Sequence, residues 1–297
     1  MYSQLVQHTL LGSAVCSGIG VHSGRSVSLK VRPAPSDTGI VFVRTDVSDR
    51  NNRVAVHPEA VGRTQLNTEI VNSDGVGVST IEHLMAAFCA LGVDNAIVEI
   101  DGAEVPIMDG SGLPFVQLLD RAGRRPQEEA RRFIEIVEPV QVVDGDKMAQ
   151  LSPCERFEVR FEIDFKSAAI GRQSVDLALT ETSFRKELSA ARTFGFLHEV
   201  EALRAMGLAR GGGLENAIVI DGDQILNPEG LRMENEFVRH KALDAVGDLY
   251  VLGAPLLGRF EGRYSGHALN NRLVRALLAR PTAYRMVSLS QGLAEAV

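Results

Sequence analysis

The residues with the most chemical potential crowd into one stretch, Phe237 to Leu252, FVRHKALDAVGDLYVL. It has no proline and a single glycine, Gly247, and Gly253 follows where a helix would stop. On a helix turning ~100° per residue, His240, Asp244 and Asp248 fall at successive i, i+4 positions, with Lys241 beside them. One face then carries an imidazole, two carboxylates and an ammonium. Val238, Ala242, Val246, Leu249 and Tyr250 take the other side and read as buried. A His and an Asp one turn apart can share a divalent ion. They can equally form a solvated face closed by an i, i+4 hydrogen bond. Both readings stay open on this stretch, and a metal needs a third ligand from elsewhere.

The second informative stretch is Ser79 to Gly92, STIEHLMAAFCALG. Ile81, Leu84, Met85, Phe88 and Leu91 recur at helical spacing and define a buried face. Ser79 and Glu82 have the spacing of a capping box, and Gly92 suits a helix stop. Glu82 therefore has a structural explanation, whereas His83 off the apolar stripe has none and would ordinarily be solvated. The pair gains meaning only if it faces His240 and Asp244, because a metal ligand beside a carboxylate is what metal-assisted hydrolysis needs. Two further histidines sit in glycine-flanked turns. His267, in YSGHA, precedes a helical pattern through Leu269, Leu273, Ala276 and Leu277 and is a candidate general acid or an exposed side chain. His22, in GIGVHSG, reads as solvated or bonded to backbone.

The elements that must position these groups are strands first and helices later, twice over. Leu5 to Leu11 and Ser26 to Val31 alternate around the GIGVHSG turn, and Ile40 to Val43, Arg53 to Val56 and Asn95 to Ile100 follow. The loop DGAEVPIMDGSGLPF, with its Asp109–Ser111 turn, leads to a helix over Phe115 to Ala122. RAGRRPQEEARRF then lacks apolar periodicity and marks a domain boundary near Glu128. Strands resume at Phe133 to Val137, Val140 to Val143, Phe157 to Ile163 and Ser174 to Leu179. Leu197 to Leu208 gives a short amphipathic helix, read as packed on the core, with an apolar groove for an acyl chain as the functional alternative. Gly211 to Gly213 lacks the Lys and Ser/Thr of a phosphate loop, and a strand runs from Ala217. The class is α+β, and the repeated order suggests internal duplication.

At 297 residues with 45% apolar content, the chain can fill the cores of two domains, 1–127 and 128–297. A formal charge of −7 and the absence of Trp argue against a nucleic-acid partner. No apolar run is long enough for a membrane span. The N-terminus does not read as a signal peptide, and Cys16, Cys89 and Cys154 fit neither a disulfide framework nor a cysteine cage. A cytoplasmic protein is expected, with a monomer as the simplest assembly.

IEHLMAA, ARTFGF, HKALDAVGDL and SGHALNN, in this order, together with the early VHSG turn and the EVPIMDGS loop, carry a specific resemblance. The chain resembles, essentially end to end, the zinc-dependent UDP-3-O-acyl-N-acetylglucosamine deacetylases of Gram-negative lipid A synthesis. That resemblance implies two similar α+β domains, each a sheet with two helices, with the active site between them. It implies Zn2+ on His83, His240 and Asp244, with Fe2+ as an alternative that such a donor set accepts. It assigns Glu82 as general base, His267 as the second catalytic histidine, Asp248 as its support and Thr193 as an oxyanion donor. Lys241 is implied beside the substrate. The Phe194–Gly213 segment, including Leu203, Met206 and Gly212, is implied to form the acyl passage. The implied partner is a small molecule, an acylated UDP-sugar. Two rival expectations remain: a zinc amidohydrolase for another N-acetyl sugar, needing no acyl tail, and a catalytically silent sugar-nucleotide or structural protein, for which Glu82→Ala changes nothing measurable.

Overall fold

Period-two alternation builds most of the sheets; along Ser26–Pro33, Val27, Leu29 and Val31 are buried and the residues between them are accessible. A computed structural model describes residues 5–289. The ends of the two expected domains, 1–4 and 290–297, lie outside the described residues. In chain order the first strands are β1 (Val6–Leu10), β2 (Ala14–Ile19), β3 (Ser26–Pro33), β4 (Ile40–Arg44), β5 (Arg53–Ala55), β6 (Ala96–Ile100) and β7 (Arg124–Ala130). They are followed by β8 (Arg132–Ile136), β9 (Val140–Asp144), β10 (Lys147–Ser152), β11 (Phe157–Asp164) and β12 (Arg172–Ala178). The last are β13 (Phe194–Phe196), β14 (Ile218–Asp221), β15 (Gln224–Ile225), β16 (Leu256–Arg263) and β17 (Tyr284–Ser288). The longer helices are α1 (Glu82–Leu91), α2 (Leu113–Ala122), α3 (Leu197–Ala205), α4 (Glu236–Leu249) and α5 (His267–Leu278).

The suspected duplication is visible as topology. The first sheet has the order β2-β3-β6-β4-β5, with β6 antiparallel to β3 and parallel to β4. The second contains β9-β10-β16-β11-β12, with β16 antiparallel to β10 and parallel to β11. In each, four strands precede one helix, then the central strand, then a second helix: α1, β6, α2 and α4, β16, α5. The second copy differs by the insert between β12 and α4, where β13 pairs in parallel with β14, and β14 folds back on β15.

The two copies meet through α1 and α4, and both helices are buried on nearly every side. A helix apolar or buried all round belongs in an interior, not on a surface. The approach is closest at Gly247, where an added Cβ would run into the carbonyl oxygen of Glu82. Only a residue without Cβ lets the backbones approach this closely.

Several expectations change. RRPQEEA, read as a charged stretch without apolar periodicity, forms β7, antiparallel to β1 with Thr9 opposite Arg125 and Leu10 opposite Arg124. Its side chains are mostly exposed, so backbone pairing holds it without any apolar pattern to read. The GIGVHSG turn joins β2 to β3 rather than β1 to β3. β16 also escaped the sequence reading because two of its glycines serve packing: a Cβ on Gly258 would press on Ile136 and one on Gly262 on Phe161. α3 has no buried residue, so it is not a helix packed on the core.

Helix propensity alone favours Ala over Gly by about 1 kcal/mol in a helix interior. The crossing reverses that sign: Gly247→Ala should destabilise by roughly 1–3 kcal/mol or more through overpacking. Denaturant titration of the variant reads the difference directly.

Candidate metal centre and active site

α4 starts at Asn235, held in the left-handed region at φ 55°, and its first residue, Glu236, is fully buried. Glu236 accepts from Arg192 N (3.0 Å), Arg192 Nε (2.9 Å) and Arg232 N (2.7 Å). This buried pair fastens the segment before β13 to the head of α4. As a result the Ala191 carbonyl stands 3.0 Å from His240 Nδ1. An N–H donated to that carbonyl leaves the His240 Nε2 lone pair facing inward.

His240 Nε2 lies 3.3 Å from Asp244 Oδ1, and His83 Nε2, arriving from α1, lies 3.4 Å from the same oxygen. Donors ~2.0–2.2 Å from one tetrahedral ion are necessarily ~3.4 Å apart, so these separations suit a shared metal better than hydrogen bonds. Asp244 Oδ1 is buried with no hydrogen-bond partner, and Oδ2 accepts from Lys241 Nζ at 3.1 Å. Among the described residues, His83, His240 and Asp244 are the three groups whose ligand atoms converge within 4.8 Å. A buried, unpartnered carboxylate oxygen facing two imidazole nitrogens fits a divalent cation. The open i, i+4 alternative therefore falls: the polar face of α4 is buried, not solvated.

Glu82 and His267 flank this cluster. Glu82 does not cap its helix; Ile81 is the N-cap, and Ser79 Oγ donates to the Ala103 carbonyl instead. Freed from capping, Glu82 Oε2 accepts from Thr68 N at 3.0 Å, while Oε1 is 4.0 Å from His267 Nε2. His267 Nδ1 sits 2.9 Å from Asp248 Oδ2, which also accepts from Asn270 Nδ2 at 2.8 Å. Asp248 Oδ1 takes the Thr68 hydroxyl at 2.7 Å. Thr68 thus ties the two carboxylates together. It gave no signal in the sequence, since its partners lie far along the chain.

Charge separates the protonation states of the two groups. Burial disfavours the His267 cation, yet Asp248 and Glu82 outweigh it and lift the imidazole to about 9. Burial raises the Glu82 carboxyl above its ordinary range, against the pull of His267 and His83. Burial depresses His240 to about 4 despite Asp244, so it is neutral and available as a donor. For Asp244, burial is overcome by His240 and Lys241, which keep the carboxyl well below the usual range.

The Thr193 backbone is clamped from both sides, its N–H donating to Gly110 O and its carbonyl accepting from Ile218 N, each at 2.8 Å. Gly110, at φ 83°, has no room for a Cβ beside the Asn216 carbonyl. The turn DGS is thereby fixed to the insert, and Thr193 lines a cavity of about 400 Å3 with Glu82, His83, His240, Asp244 and His267. Most of the rest of the cavity is apolar, running along Phe194, Leu197, Val200 and Leu203 to Leu214 and Leu226, with Gly212, Thr80 and Arg204 also in the wall. Phe194 is fixed edge-on against Phe237, 5.0 Å between centroids. Met206 is not in this wall and is 67% exposed; Lys241 is turned to Asp244. His22, read from sequence as a solvated or backbone-bonded side chain, lines the cavity. Its turn is held by Glu104, which accepts from His22 N and Ser23 N at 2.9 Å each.

The sequence profile of the family described as LpxC: UDP-3-O-acyl N-acetylglycosamine deacetylase matches residues 7–279. The chain belongs to this family. A UDP-3-O-acyl-N-acetylglucosamine deacetylase of Phenylobacterium zucineum (strain HLK1) is 66% identical over 293 residues, 99% of this chain and 100% of that one. Proteins of the same name from Shewanella sp. (strain W3-18-1) and Shewanella oneidensis are 50% and 49% identical, each covering 96% of this chain and 93% of their own. In this deacetylase family member the His-His-Asp cluster lines the same cavity as the apolar residues of the insert.

Metal analysis of the purified chain should find about one divalent ion per molecule. Asp244→Ala should abolish it, and Lys241→Ala, which frees the outer oxygen of Asp244, should weaken affinity about 10-fold. Equilibrium dialysis against a chelator series measures both.

Proposed function

We propose that this protein hydrolyses the N-acetyl group of UDP-3-O-(3-hydroxyacyl)-N-acetylglucosamine in lipid A biosynthesis, releasing acetate and the free 2-amine, with Zn2+ on His83, His240 and Asp244. The observation that carries this reading is the continuity of the His-His-Asp cluster with an apolar cavity in the insert. An acetamide at the cluster puts the neighbouring 3-O-acyl chain beside that cavity. The sequences 1–127 and 128–297 serve as the two domains, the first giving Glu82 and His83 and the second the remaining site residues. A nucleotide-activated substrate argues for the cytoplasm, and a monomer supplies every residue required.

Two neutral imidazoles and one carboxylate leave a charge of about +1 on a bound divalent ion, which supplies Lewis acidity for activating water and polarising the carbonyl. Glu82, unprotonated, takes the proton from the attacking water as oxygen bonds to the amide carbon. Thr193 Oγ1 donates to the oxyanion that develops, favouring the transition state over the flat amide. His267, cationic against Asp248, faces the same charge and delivers its Nε2 proton to the leaving nitrogen as the C–N bond breaks. Acetate and the sugar amine result, with atoms and protons balanced. Phe194, Leu203 and Gly212 hold the acyl tail. Met206, implied in the passage by resemblance, is exposed outside the wall and is not retained in that role.

Acetate release should vanish on metal stripping, return with one equivalent of Zn2+ and, at different rate, Fe2+, and be weak on UDP-N-acetylglucosamine. Full activity without the acyl chain would favour a different N-acetyl sugar as substrate. Glu82→Ala should cost about 10²–10⁴-fold in kcat; an unchanged rate would remove the proposed base.

The pH profile has a worked sign. Glu82 acts unprotonated, so activity rises as pH passes its raised pKa. His267 acts protonated, so activity falls as pH passes its own value of about 9, or earlier once a cation lies nearby. Asp248→Asn removes the main charge lifting His267 and should move the alkaline limb down by a unit or more, on the order of 1.4 kcal/mol. A monotonic profile between about pH 5 and 10, or an alkaline limb that Asp248→Asn leaves where it was, would sink the pair mechanism.

A further inference from the structure

At the opposite end of α1 from the metal cluster lies a second cavity of about 380 Å3, sharing no wall residue with the first. It opens at the seam where β7 passes into β8 and β11 begins. Ligand pockets start at about this size. Phe133, Phe157, Leu179 and Leu256 form its apolar part, and Arg124, Arg131 and Arg156 bring positive charge.

Arg131 is the decisive wall residue. It is 7% exposed, its Nε donates to Asp94 Oδ1 at 2.8 Å, and its guanidinium lies over Phe133 at 5.4 Å. Neither Nη group makes a hydrogen bond among the described residues. Both stand 3.4 Å from where a Cβ on Gly92, another wall residue, would be. His8, 7% exposed in the same wall, has a buried Nδ1 with no partner. The imidazole nitrogen is buried and unmatched, which is costly unless something pairs with it, while the guanidinium fork is reached from the cavity and can pair with an entering group.

Opposing charges are already spent. The wall carboxylate of Glu181 is paired with Arg124 and Arg185, each at 2.8 Å. Arg124 also donates to the Leu91 carbonyl, capping the negative end of α1. Burial pushes the Cys89 thiol up to about 12, so it adds no anion.

We propose that this cavity is a second ligand site, taking a small organic anion whose carboxylate or phosphate head meets Arg131 and His8 and whose apolar body lies on Phe157, Leu179 and Leu256. The forked Nη pair suits the two oxygens of such a head. The site sits at the C-terminal end of α1, with Glu82 and His83 at the other end, ~15 Å away along a helix of this length.

The test uses full-length chain carrying Leu203→Trp, whose indole fills the acyl end of the first cavity and removes it as a competing site. Calorimetric titration with hexanoate, hexyl phosphate and hexan-1-ol should show one saturable site for at least one anion. The alcohol should bind about 10-fold weaker or worse. Adding Leu179→Trp, which fills the second cavity without touching its charges, should weaken the anion about 10-fold or more. Arg131→Lys, which keeps the charge and loses the fork, should do the same. Preference between the two anions tells carboxylate from phosphate. No saturable binding of either anion up to about 10 mM, no effect of Leu179→Trp, or equal binding of the alcohol would each overturn the proposal.

Discussion

The close approach of α1 and α4 is the constraint on which the site depends. With Gly247 against the Glu82 backbone, the head of one helix touches the flank of the other. That contact puts His83 within 3.4 Å of Asp244 although 161 positions separate them in sequence (244 − 83). A methyl group inserted there would widen the gap for the whole of both helices, because each is a rigid rod packed into a dense core. Helix packing here does the work of a ligand-aligning scaffold: two donors come from one helix at fixed i, i+4 spacing, and the third arrives with the partner helix. The fold tolerates buried charges by pairing or hydrogen-bonding them, as with Arg192–Glu236 at the head of α4 and with Thr68 and Asn270 donating to Asp248.

Backbone strain gathers on the loops that deliver these groups. Leu66, Thr80, Met108, Asn235 and Tyr264 all have positive φ without being glycine. They precede Thr68, Glu82, the Gly110 turn, α4 and His267 respectively. Thr80 is the least comfortable, a β-branched residue at φ 58°, and its hydroxyl donates to Glu104 at 3.2 Å in return. Strained backbone persists where surrounding contacts over-determine it, and such positions collect around functional sites. Here the same Glu104 that steadies Thr80 also holds the His22 turn, so one buried carboxylate braces two of the cavity's edges.

How much of this the sequence revealed depended on whether the cause was local. His240, Asp244 and Asp248 stand one turn apart, so their common face was legible from spacing alone. Their burial was not, because it comes from α1 and the second sheet. Glu82 followed Ser79 at capping distance and invited a local explanation; the carboxylate instead reaches Thr68, fixed by long-range packing. Strands with clean alternation, such as β3 and β11, declared themselves, as did the apolar run of β4. β7 did not, since an exposed paired strand needs no apolar face, and β16 did not, since its glycines answer to Ile136 and Phe161 across the sheet. His22 carried a visible cue in its glycine-rich turn, but nothing local said what it would face.

The duplicated topology also explains why the chemistry lies where it does. Two copies of one sheet-and-helix unit packed through equivalent helices give an interior seam, and a seam alone has no room for a substrate. The second copy breaks the symmetry with an insert before α4, and the cavity lies where that insert meets residues of both copies. α3, with no buried residue of its own, adds an apolar wall at little cost to the core and depends on β13 and β14 to keep it in place. Thr193 is clamped by backbone bonds, while part of the apolar wall rests on α3, which has no buried residue. A wall held so lightly can adjust to its occupant without disturbing the His-His-Asp geometry, because the two are built on different supports.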